Sequence, residues 1–284
     1  MLPQTFCHIP GIGATREARL WAAGVHSWEQ ADPSLVKFPP QRQIPFQQAV
    51  EQSRHELAQG NAEYFGRCLP PCEQWRLYRE FRDRAAYIDI ETTGVGSPGD
   101  HITTIALYDG RQVRHYVHGN NLGQFKHDIA NYKLLVTYNG KSFDVPFIEA
   151  ALACRLPHAH VDLRYVLQSL GLKGGLKQCE HTLGLTRPGL QDVNGYFAVL
   201  LWQEFKRTGS EAALETLLAY NVEDVLMLER LATIAYNRKI ATTPFAASHR
   251  LADADTAENP FTPDARILNR IRERFYSMGF TASS

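Results

Sequence analysis

Neither sign of charge is in excess in this 284-residue sequence, which has 30 Lys and Arg against 30 Asp and Glu. The balance excludes a protein that coats nucleic acid by bulk positive charge, but it allows a local basic patch. Long hydrophobic runs are also missing, and none approaches the length of a membrane span. We therefore expect no membrane segment in a chain of ordinary globular composition.

Cysteine is scarce, with five residues in the sequence. The first residues lack the basic and apolar regions of a secretory signal, so we expect a cytoplasmic protein. An odd number of cysteines then argues against a disulfide framework. Cys68 and Cys72 form an isolated pair without a second Cys or His pair nearby. Free thiols are therefore favoured there over a zinc site.

An acidic pair follows the apolar residues 85–88, which predict a buried strand. Side chains alternate along a strand, so Asp89 and Glu91 point to the same face. Two like charges near an apolar core are tolerated when a cation lies between them. Oxygen ligands suit hard divalent ions such as Mg2+ or Mn2+. Paired acids are also common at strand ends, so a metal site needs further acids from elsewhere in the chain.

The sequence divides into three segments. Residues 1–84 predict a small helical N-terminal region, residues 85–238 the main domain and residues 239–284 a C-terminal extension. In the first segment, residues 9–13 resemble the hairpin of a helix-hairpin-helix DNA-binding motif, whose backbone amides contact a phosphate. Few residues precede this turn, so contact with nucleic acid and a simple packing turn both stay open.

The main domain has the patterns of a mixed α/β sheet covered by helices. Residues 103–108 and 112–117 predict two strands, and Asp109-Gly110 between them predicts a hairpin. Residues 134–137 predict a further buried strand. Helices are predicted at 121–130, 143–154, 195–206 and 211–237.

Two later elements supply more acids. Asp144 follows the predicted strand at 134–137 and the turn Asn139-Gly140, in the first turn of a helix whose dipole favours negative charge. Tyr220 and Asp224 are four residues apart and so share one face of a predicted helix. Considered singly, Asp144 fits a helix cap, Tyr220 a half-buried ring and Asp224 a solvated acid.

Together, the three elements resemble in order and spacing the three motifs of the DEDD superfamily of 3′-5′ exonucleases. The motifs are D-x-E at Asp89 and Glu91, N-x(2,3)-[FY]-D at Asn139, Phe143 and Asp144, and Y-x(3)-D at Tyr220 and Asp224. The tyrosine (DEDDy) form is that of the proofreading domains of family A and B DNA polymerases. Ala219 stands where the histidine form has its histidine. The sequence is more closely similar to bacterial YprB-like proteins, which are predicted exonucleases.

The resemblance implies a ribonuclease H-like α/β fold, a mixed sheet flanked by helices. It implies hydrolysis of DNA or RNA from a free 3′ end with two divalent ions, Mg2+ or Mn2+. Asp89 would bridge both ions, and Glu91 and Asp224 would complete the site of the ion that carries the nucleophile. Asp144 would hold the second ion through water, and Tyr220 would orient the attacking water.

Several further residues are candidates for contact with the substrate. Thr92, Thr93 and Gly94 follow the first motif, where the backbone could approach the terminal nucleotide. Asn139 belongs to the second motif, and Phe143 could stack on a base. Core packing is the alternative for Phe143 and for Phe147. Candidate phosphate contacts are Lys141, Lys173 and Lys177, although exposed lysines are usually solvated. Caps or surface groups are predicted at Asp162 and Asp192, and a structural role at His181.

Two other functions fit the same pattern. A catalytically silent nucleic-acid-binding module could use the same fold, but the intact set of acids argues against it. An endonuclease of the ribonuclease H type would share the metal chemistry. The residues do not decide between DNA and RNA, or between single and double strands, because these choices depend on groove shape and 2′-hydroxyl contacts.

Overall fold

The computed structural model describes residues 1–32, 40–187, 195–255 and 257–277. Asp192, expected as a cap or surface group, lies outside these residues. In the described part of the chain, no helix is both long enough and apolar enough to cross a membrane.

One five-stranded mixed sheet is the centre of the described structure, with strand order β3-β2-β1-β4-β5. Strands β1, β2 and β3 are antiparallel neighbours, and β4 and β5 run parallel to β1. Their bounds are β1 Ala85–Thr92, β2 Ile102–Tyr108, β3 Val113–Val117, β4 Leu134–Thr137 and β5 Ala159–Asp162. The mixed sheet, the hairpin at Asp109-Gly110 and the strand after it are confirmed.

Twelve α-helices of the described residues surround this sheet. They are α1 Ala14–Ala22, α2 Pro40–Ala58, α3 Ala62–Cys68, α4 Tyr78–Phe81, α5 Phe125–Ile129, α6 Asp144–Leu152, α7 Leu163–Ser169, α8 Leu176–Thr182, α9 Gly195–Thr208, α10 Glu211–Ile240, α11 Ala246–His249 and α12 Ala265–Ser277. Short 3-10 helices occupy Leu2–Gln4, Trp28–Gln30, Pro71–Leu77, Arg82–Arg84 and Leu122–Gln124.

The two faces of the sheet bury different partners. Because side chains alternate along β1, Ile88 and Ile90 pack with residues of α5 and α6, while Tyr87 on the opposite face packs with residues of α10. Asp89 and Glu91 alternate with these isoleucines, so they point toward α10 as well. The face of β1 that holds the acids is therefore the face that the longest helix covers.

Helix α10 is buried over most of its length, between the sheet on one side and α9 and α12 on the other. Its first residue follows Ser210, whose hydroxyl accepts a hydrogen bond from the Ala213 N–H at 3.3 Å. Arg238 and Lys239 stand in its last turn, where the helix dipole favours positive charge. This cap and this charge pattern keep a 30-residue helix regular across the site.

The N-terminal helices pack on the same cluster of buried side chains as α10 and the sheet. The glycine turn that resembles a helix-hairpin-helix hairpin lies at the start of α1. Gly11 has a φ of 85°, Ile12 is buried, and Gly13 caps the helix through its backbone. A three-residue 3-10 helix, Leu2–Gln4, is the helical element that precedes the turn. Contact of this turn with nucleic acid stays a prediction.

Candidate metal centre

Three carboxylates from two distant parts of the chain meet at one point. Oxygen atoms of Asp89, Glu91 and Asp224 all lie within 4.8 Å of one another. The first two come from the same face of β1, and Asp224 comes from α10, which packs against that face. Asp224 is buried, unlike the solvated acid that its local sequence favours.

Asn221 ties α10 to the sheet, one turn before Asp224. Its Nδ2 donates to Asp89 Oδ2 at 2.7 Å and to the Asp89 carbonyl at 3.3 Å. Its Oδ1 accepts from the Thr104 hydroxyl on β2 at 2.9 Å. These bonds orient the Asn221 amide and the Asp89 carboxylate together. Asn221 was not predicted from the sequence, although it stands between Tyr220 and Asp224 in the third motif.

The fourth acid, Asp144, reaches the same place from the first residue of α6. It is buried, and its Oδ1 accepts a hydrogen bond from the Ile90 N–H at 3.3 Å. Ile90 lies between Asp89 and Glu91, so this bond places Asp144 directly beside the acidic pair. Asp144 is outside the group of three whose oxygens lie within 4.8 Å.

Burial and mutual repulsion make these carboxyl groups weaker acids. Loss of solvent, followed by the charge of Asp224 and then of Asp144, holds the pKa of Asp89 and of Glu91 well above the usual range. Burial also raises the pKa of Asp144 to about 7. A divalent cation relieves this repulsion, and an all-oxygen donor set is the one that Mg2+ and Mn2+ prefer. The residues present therefore fit such ions.

A buried ion pair borders the acids. The Arg187 guanidinium donates through Nη1 to Asp224 Oδ1, and its Nε donates to Glu180 Oε2 at 2.5 Å. Its Nη2 donates to the second oxygen of Glu180. Arg187 and Glu180 were missed in the sequence, since neither belongs to a motif or to a periodic pattern. Glu180 and Arg187 are seven residues apart, and it is the bond from Arg187 to Asp224 that joins this segment to α10.

Tyr220 lies one turn before Asp224 on α10 and is buried. The Lys177 ammonium of α8 lies 4.7 Å from the centre of its ring. Burial, followed by the charges of Asp224 and Glu91, raises the pKa of Tyr220 well above its usual value, so its hydroxyl keeps its proton. Lys177 Nζ is itself buried and makes no hydrogen bond among the described residues.

The loop after the first motif is held by Asp100. Its carboxylate accepts from the backbone N–H groups of Gly96 at 3.0 Å and of Ser97 at 2.7 Å. A Cβ atom at Gly94 would lie 2.4 Å from Asp100 Oδ1, so a residue larger than glycine does not fit there without movement. The glycine of the motif therefore permits close approach of this loop to its own carboxylate.

Thr92 and Thr93 make their hydrogen bonds within this loop. The Thr92 hydroxyl donates to the Gly94 carbonyl at 2.5 Å. The Thr93 hydroxyl donates to Asp100 at 3.4 Å and accepts from the His101 N–H at 3.0 Å. These bonds fix the backbone on the metal side of the sheet, where a terminal nucleotide was expected.

A cavity of about 490 Å³ opens between this loop and the start of α6. Phe143 and Phe147 line it with their ring centres 5.7 Å apart, and Val95 on its other side is 88% exposed. Both phenylalanines also pack against the core beneath. Their two expected roles, core packing and a surface for a base, are thus compatible in this geometry.

Other sequence candidates lie away from the acids. Asn139 has a φ of 67° in the turn after β4, and its amide oxygen accepts from Arg164 and from the Ser142 hydroxyl. Lys141 donates to Gln74 at 2.6 Å. Lys173 and His181 are exposed, and neither acts as a ligand in the acidic group.

Asp162 is the predicted cap, and it has a larger structural role than expected. It accepts from the Arg164 N–H at the start of α7 at 3.1 Å, so the cap is confirmed. It also accepts from the backbone N–H groups of Asn139 at 2.8 Å and Lys141 at 3.1 Å. The alternative of a surface group is wrong, because Asp162 is fully buried.

Comparison with known proteins defines the family. The chain belongs to the RNase H superfamily, whose family model matches residues 86–236. This confirms the ribonuclease H-like fold that the motif resemblance implied. A search of curated proteins found no match.

Two solved structures are also similar to the chain. The family B DNA polymerase from the hyperthermophilic archaeon Pyrobaculum calidifontis is 17% identical, with a TM-score of 0.42 over 55% of this chain and 24% of the polymerase. A structure described as the apo form of a nuclease is 18% identical, with a TM-score of 0.38 over 69% of this chain and 87% of the nuclease. The chain thus spans about a quarter of the polymerase's length.

Proposed function

We propose that this protein is a metal-dependent 3′-5′ exonuclease of the DEDDy type, similar to YprB-like proteins, that hydrolyses phosphodiester bonds of DNA or RNA. The observation that carries the proposal is the convergence of Asp89, Glu91 and Asp224 within 4.8 Å. Asp144 lies beside them, and Tyr220 lies one helical turn before Asp224. Four acids and a tyrosine from three separate motifs thus share one site.

The acids divide into two sets of ligands for Mg2+ or Mn2+. Asp89, Glu91 and Asp224 would hold one ion, and Asp89 with Asp144 would hold a second. Divalent ions bound there would supply a Lewis acid that lowers the pKa of water and relieves charge on the leaving oxygen. Asn221 keeps Asp89 oriented for this double role through its hydrogen bond to Oδ2.

In this proposal, Tyr220 contacts the attacking water and Lys177 contacts the phosphate. Tyrosine has an ordinary pKa of about 10, and burial raises it further here, so Tyr220 is a hydrogen-bond donor rather than a base. Its hydroxyl would orient the attacking water. The buried Lys177 ammonium lacks a hydrogen-bond partner among the described residues and is placed to receive a phosphate oxygen.

The cavity beside the site is suited to the last nucleotide of a strand. It is lined by Val95, Gly96 and Ser97, which follow Thr92, Thr93 and Gly94, and by Pro146 and Phe147 of α6, the helix that begins with Asp144. Stacking of a base on Phe143 would contribute roughly 1–3 kcal/mol and would tolerate any base. A pocket for one terminal nucleotide would favour hydrolysis from a free 3′ end.

The direct test uses 5′-labelled single- and double-stranded DNA and RNA with Mg2+ or Mn2+. We expect stepwise shortening from the 3′ end, and loss of at least about 1,000-fold in rate for Asp89→Asn and for Asp224→Asn, since both remove a metal ligand. Asp83→Asn, which changes an acid that is 86% exposed, is the matched control and should keep full activity.

Other outcomes separate the remaining functions. Retained activity in both ligand variants would contradict the proposed site. Cleavage of a circular strand would favour an endonuclease of the ribonuclease H type. Absence of divalent-ion binding, measured by calorimetry, would favour a catalytically silent binding module.

A further inference from the structure

The buried pair formed by Arg187 and Glu180 has no role in the motifs that define the site. Arg187 is buried, lies five residues after the end of α8 and contacts the ligand Asp224. Both oxygens of Glu180 accept from the same guanidinium. A buried arginine is costly unless its donors are satisfied, so this geometry is specified by the fold.

Three of the four acids each have a hydrogen-bond donor from the protein. Asn221 donates to Asp89, and the Ile90 N–H donates to Asp144. Arg187 supplies the corresponding bond to Asp224, and among these three donors it alone is charged. Such bonds fix the direction in which a carboxylate presents its remaining oxygen.

We propose that Arg187 is a positioning residue for the metal centre. It holds one oxygen of Asp224 and leaves the other oxygen to the ion. Glu180 is also needed for this positioning, because it holds the Arg187 guanidinium in place. The inference rests on the metal centre of the proposed function, but it concerns residues outside the three motifs.

The planar shape of the guanidinium explains why Glu180 is needed. A free arginine pairs with a carboxylate through two parallel N–H groups, which would cover both oxygens of Asp224. Here Nε and Nη2 are occupied by Glu180, so Nη1 reaches Asp224 and contacts Oδ1. Glu180 thus prevents Arg187 from covering both oxygens of Asp224, so that one oxygen is left for the ion.

The test measures Mn2+ binding by isothermal titration calorimetry on the full chain. Arg187→Ala should weaken Mn2+ binding by about 10–100-fold, the usual effect of losing a residue that orients a metal ligand. Glu180→Gln should also weaken binding, because the released guanidinium pairs more fully with Asp224. Arg187→Lys should fail to restore the affinity, since an ammonium cannot bond Glu180 and Asp224 in this fork.

Two further measurements separate positioning from a purely structural role. In the exonuclease assay, Arg187→Ala should lower kcat with little change in KM for the strand, because the strand is not its partner. Arg207→Ala is the matched control. Arg207 also pairs with a glutamate, Glu204, but its side chain is 66% exposed. It should keep the Mn2+ affinity of the unaltered protein.

The outcomes distinguish the two proposals. If Asp89→Asn keeps Mn2+ binding, the metal centre itself is wrong. If Asp89→Asn loses Mn2+ binding while a folded Arg187→Ala keeps it, or binds Mn2+ more tightly, only the positioning role is wrong. Circular dichroism establishes folding, and if Arg187→Ala does not fold, unchanged Mn2+ affinity in Glu180→Gln and in Arg187→Lys overturns the inference.

Discussion

The described residues include two buried clusters of charge that differ in the balance of acids and cations. In the N-terminal cluster, Arg76 bonds Glu17 at 2.7 Å and Glu73 at 2.9 Å, and Lys239 lies 3.4 Å from Glu73. Two acids therefore meet two cations. Backbone N–H groups of Phe6 and Cys7, at 2.6 and 3.0 Å, complete the bonds to Glu17.

The metal centre lacks this balance. Five carboxylates border it but only two cations, Lys177 and Arg187, appear among the described residues. One of these cations is shared between Asp224 and Glu180. Among the described residues, Lys177 is the cation that lowers the pKa of Glu91, and it does not offset the burial and the neighbouring carboxylates that raise it.

The pKa values show the consequence of this difference. Burial alone would raise the pKa of Glu73, but Arg76 and Lys239 lower it overall. At Asp89 and Glu91, burial and neighbouring carboxylates all raise the pKa. Burial of acids is therefore common to both clusters, and the missing positive charge is what distinguishes the candidate metal centre.

The largest change in stability is expected in the balanced cluster. Glu17→Gln should lower the free energy of unfolding by about 3–5 kcal/mol, because it leaves Arg76 short of a buried counter-charge. The new amide NH2 would also face the guanidinium, so two donors would meet. Urea denaturation in EDTA at pH 7 measures the loss.

A matched substitution checks that burial causes this loss. Glu63→Gln removes the acid of another arginine pair, but Glu63 and Arg67 are 46% and 72% exposed. Surface pairs contribute little, so its effect should stay within about 0.5 kcal/mol. Equal losses in Glu17→Gln and Glu63→Gln would contradict a special role for the buried cluster.

The sequence predicted one side of this comparison better than the other. The spacing of Asp89 and Glu91 was enough to place them on one face, because strand alternation is local. Asp144 and Asp224 joined them through the motif resemblance. The pairs Arg76–Glu17 and Arg187–Asp224 were not predicted, since each joins residues that are far apart in the sequence.

Strand β5 was also missed, for a related physical reason. Its four residues alternate, with Ala159 and Val161 apolar and His160 and Asp162 polar, but a run of four is too short to predict a strand with no turn signal beside it. Both polar side chains are buried because they have hydrogen-bond partners: His160 contacts the Thr137 hydroxyl of β4 at 2.8 Å, and Asp162 accepts from the Arg164 N–H at 3.1 Å. Polar residues whose hydrogen-bonding groups are satisfied only by tertiary contacts predict a loop when the sequence is considered alone.

Bound Mn2+ would supply the positive charge that the unbalanced cluster lacks. Mn2+ at about 100 times its dissociation constant should raise the free energy of unfolding by about 2.7 kcal/mol, because the ion binds the folded state. Glu17→Gln should show the same gain, since its cluster is separate. Asp89→Asn should show none, and a full gain in that variant, measured by urea denaturation, would place the ion elsewhere.

The smallest expected effect comes from removing one repelling charge without adding an ion. In EDTA at pH 8, Asp89→Asn should be more stable than the unaltered protein by an amount on the order of 1 kcal/mol. The Asn221 bond survives, because the new amide oxygen still accepts it. The same change from carboxylate to amide thus destabilises one buried cluster and stabilises the other.

The pH dependence of the free energy of unfolding explains why Asp89→Asn is expected to stabilise the protein at pH 8. Asp144 has its pKa raised from 3.8 to about 7, so the folded protein keeps a proton that the unfolded chain releases. The stability that this bound proton contributes is fully present below about pH 4 and is lost as the pH rises through 7. Urea denaturation in EDTA at pH 5 and pH 8 should show this fall in the unaltered protein. Asp89→Asn should reduce the fall, because it removes a group whose own pKa is raised and also one repelling neighbour of Asp144. An equal fall in both proteins would mean that the folded state does not raise the pKa of Asp89, which would contradict the unbalanced charge of this site.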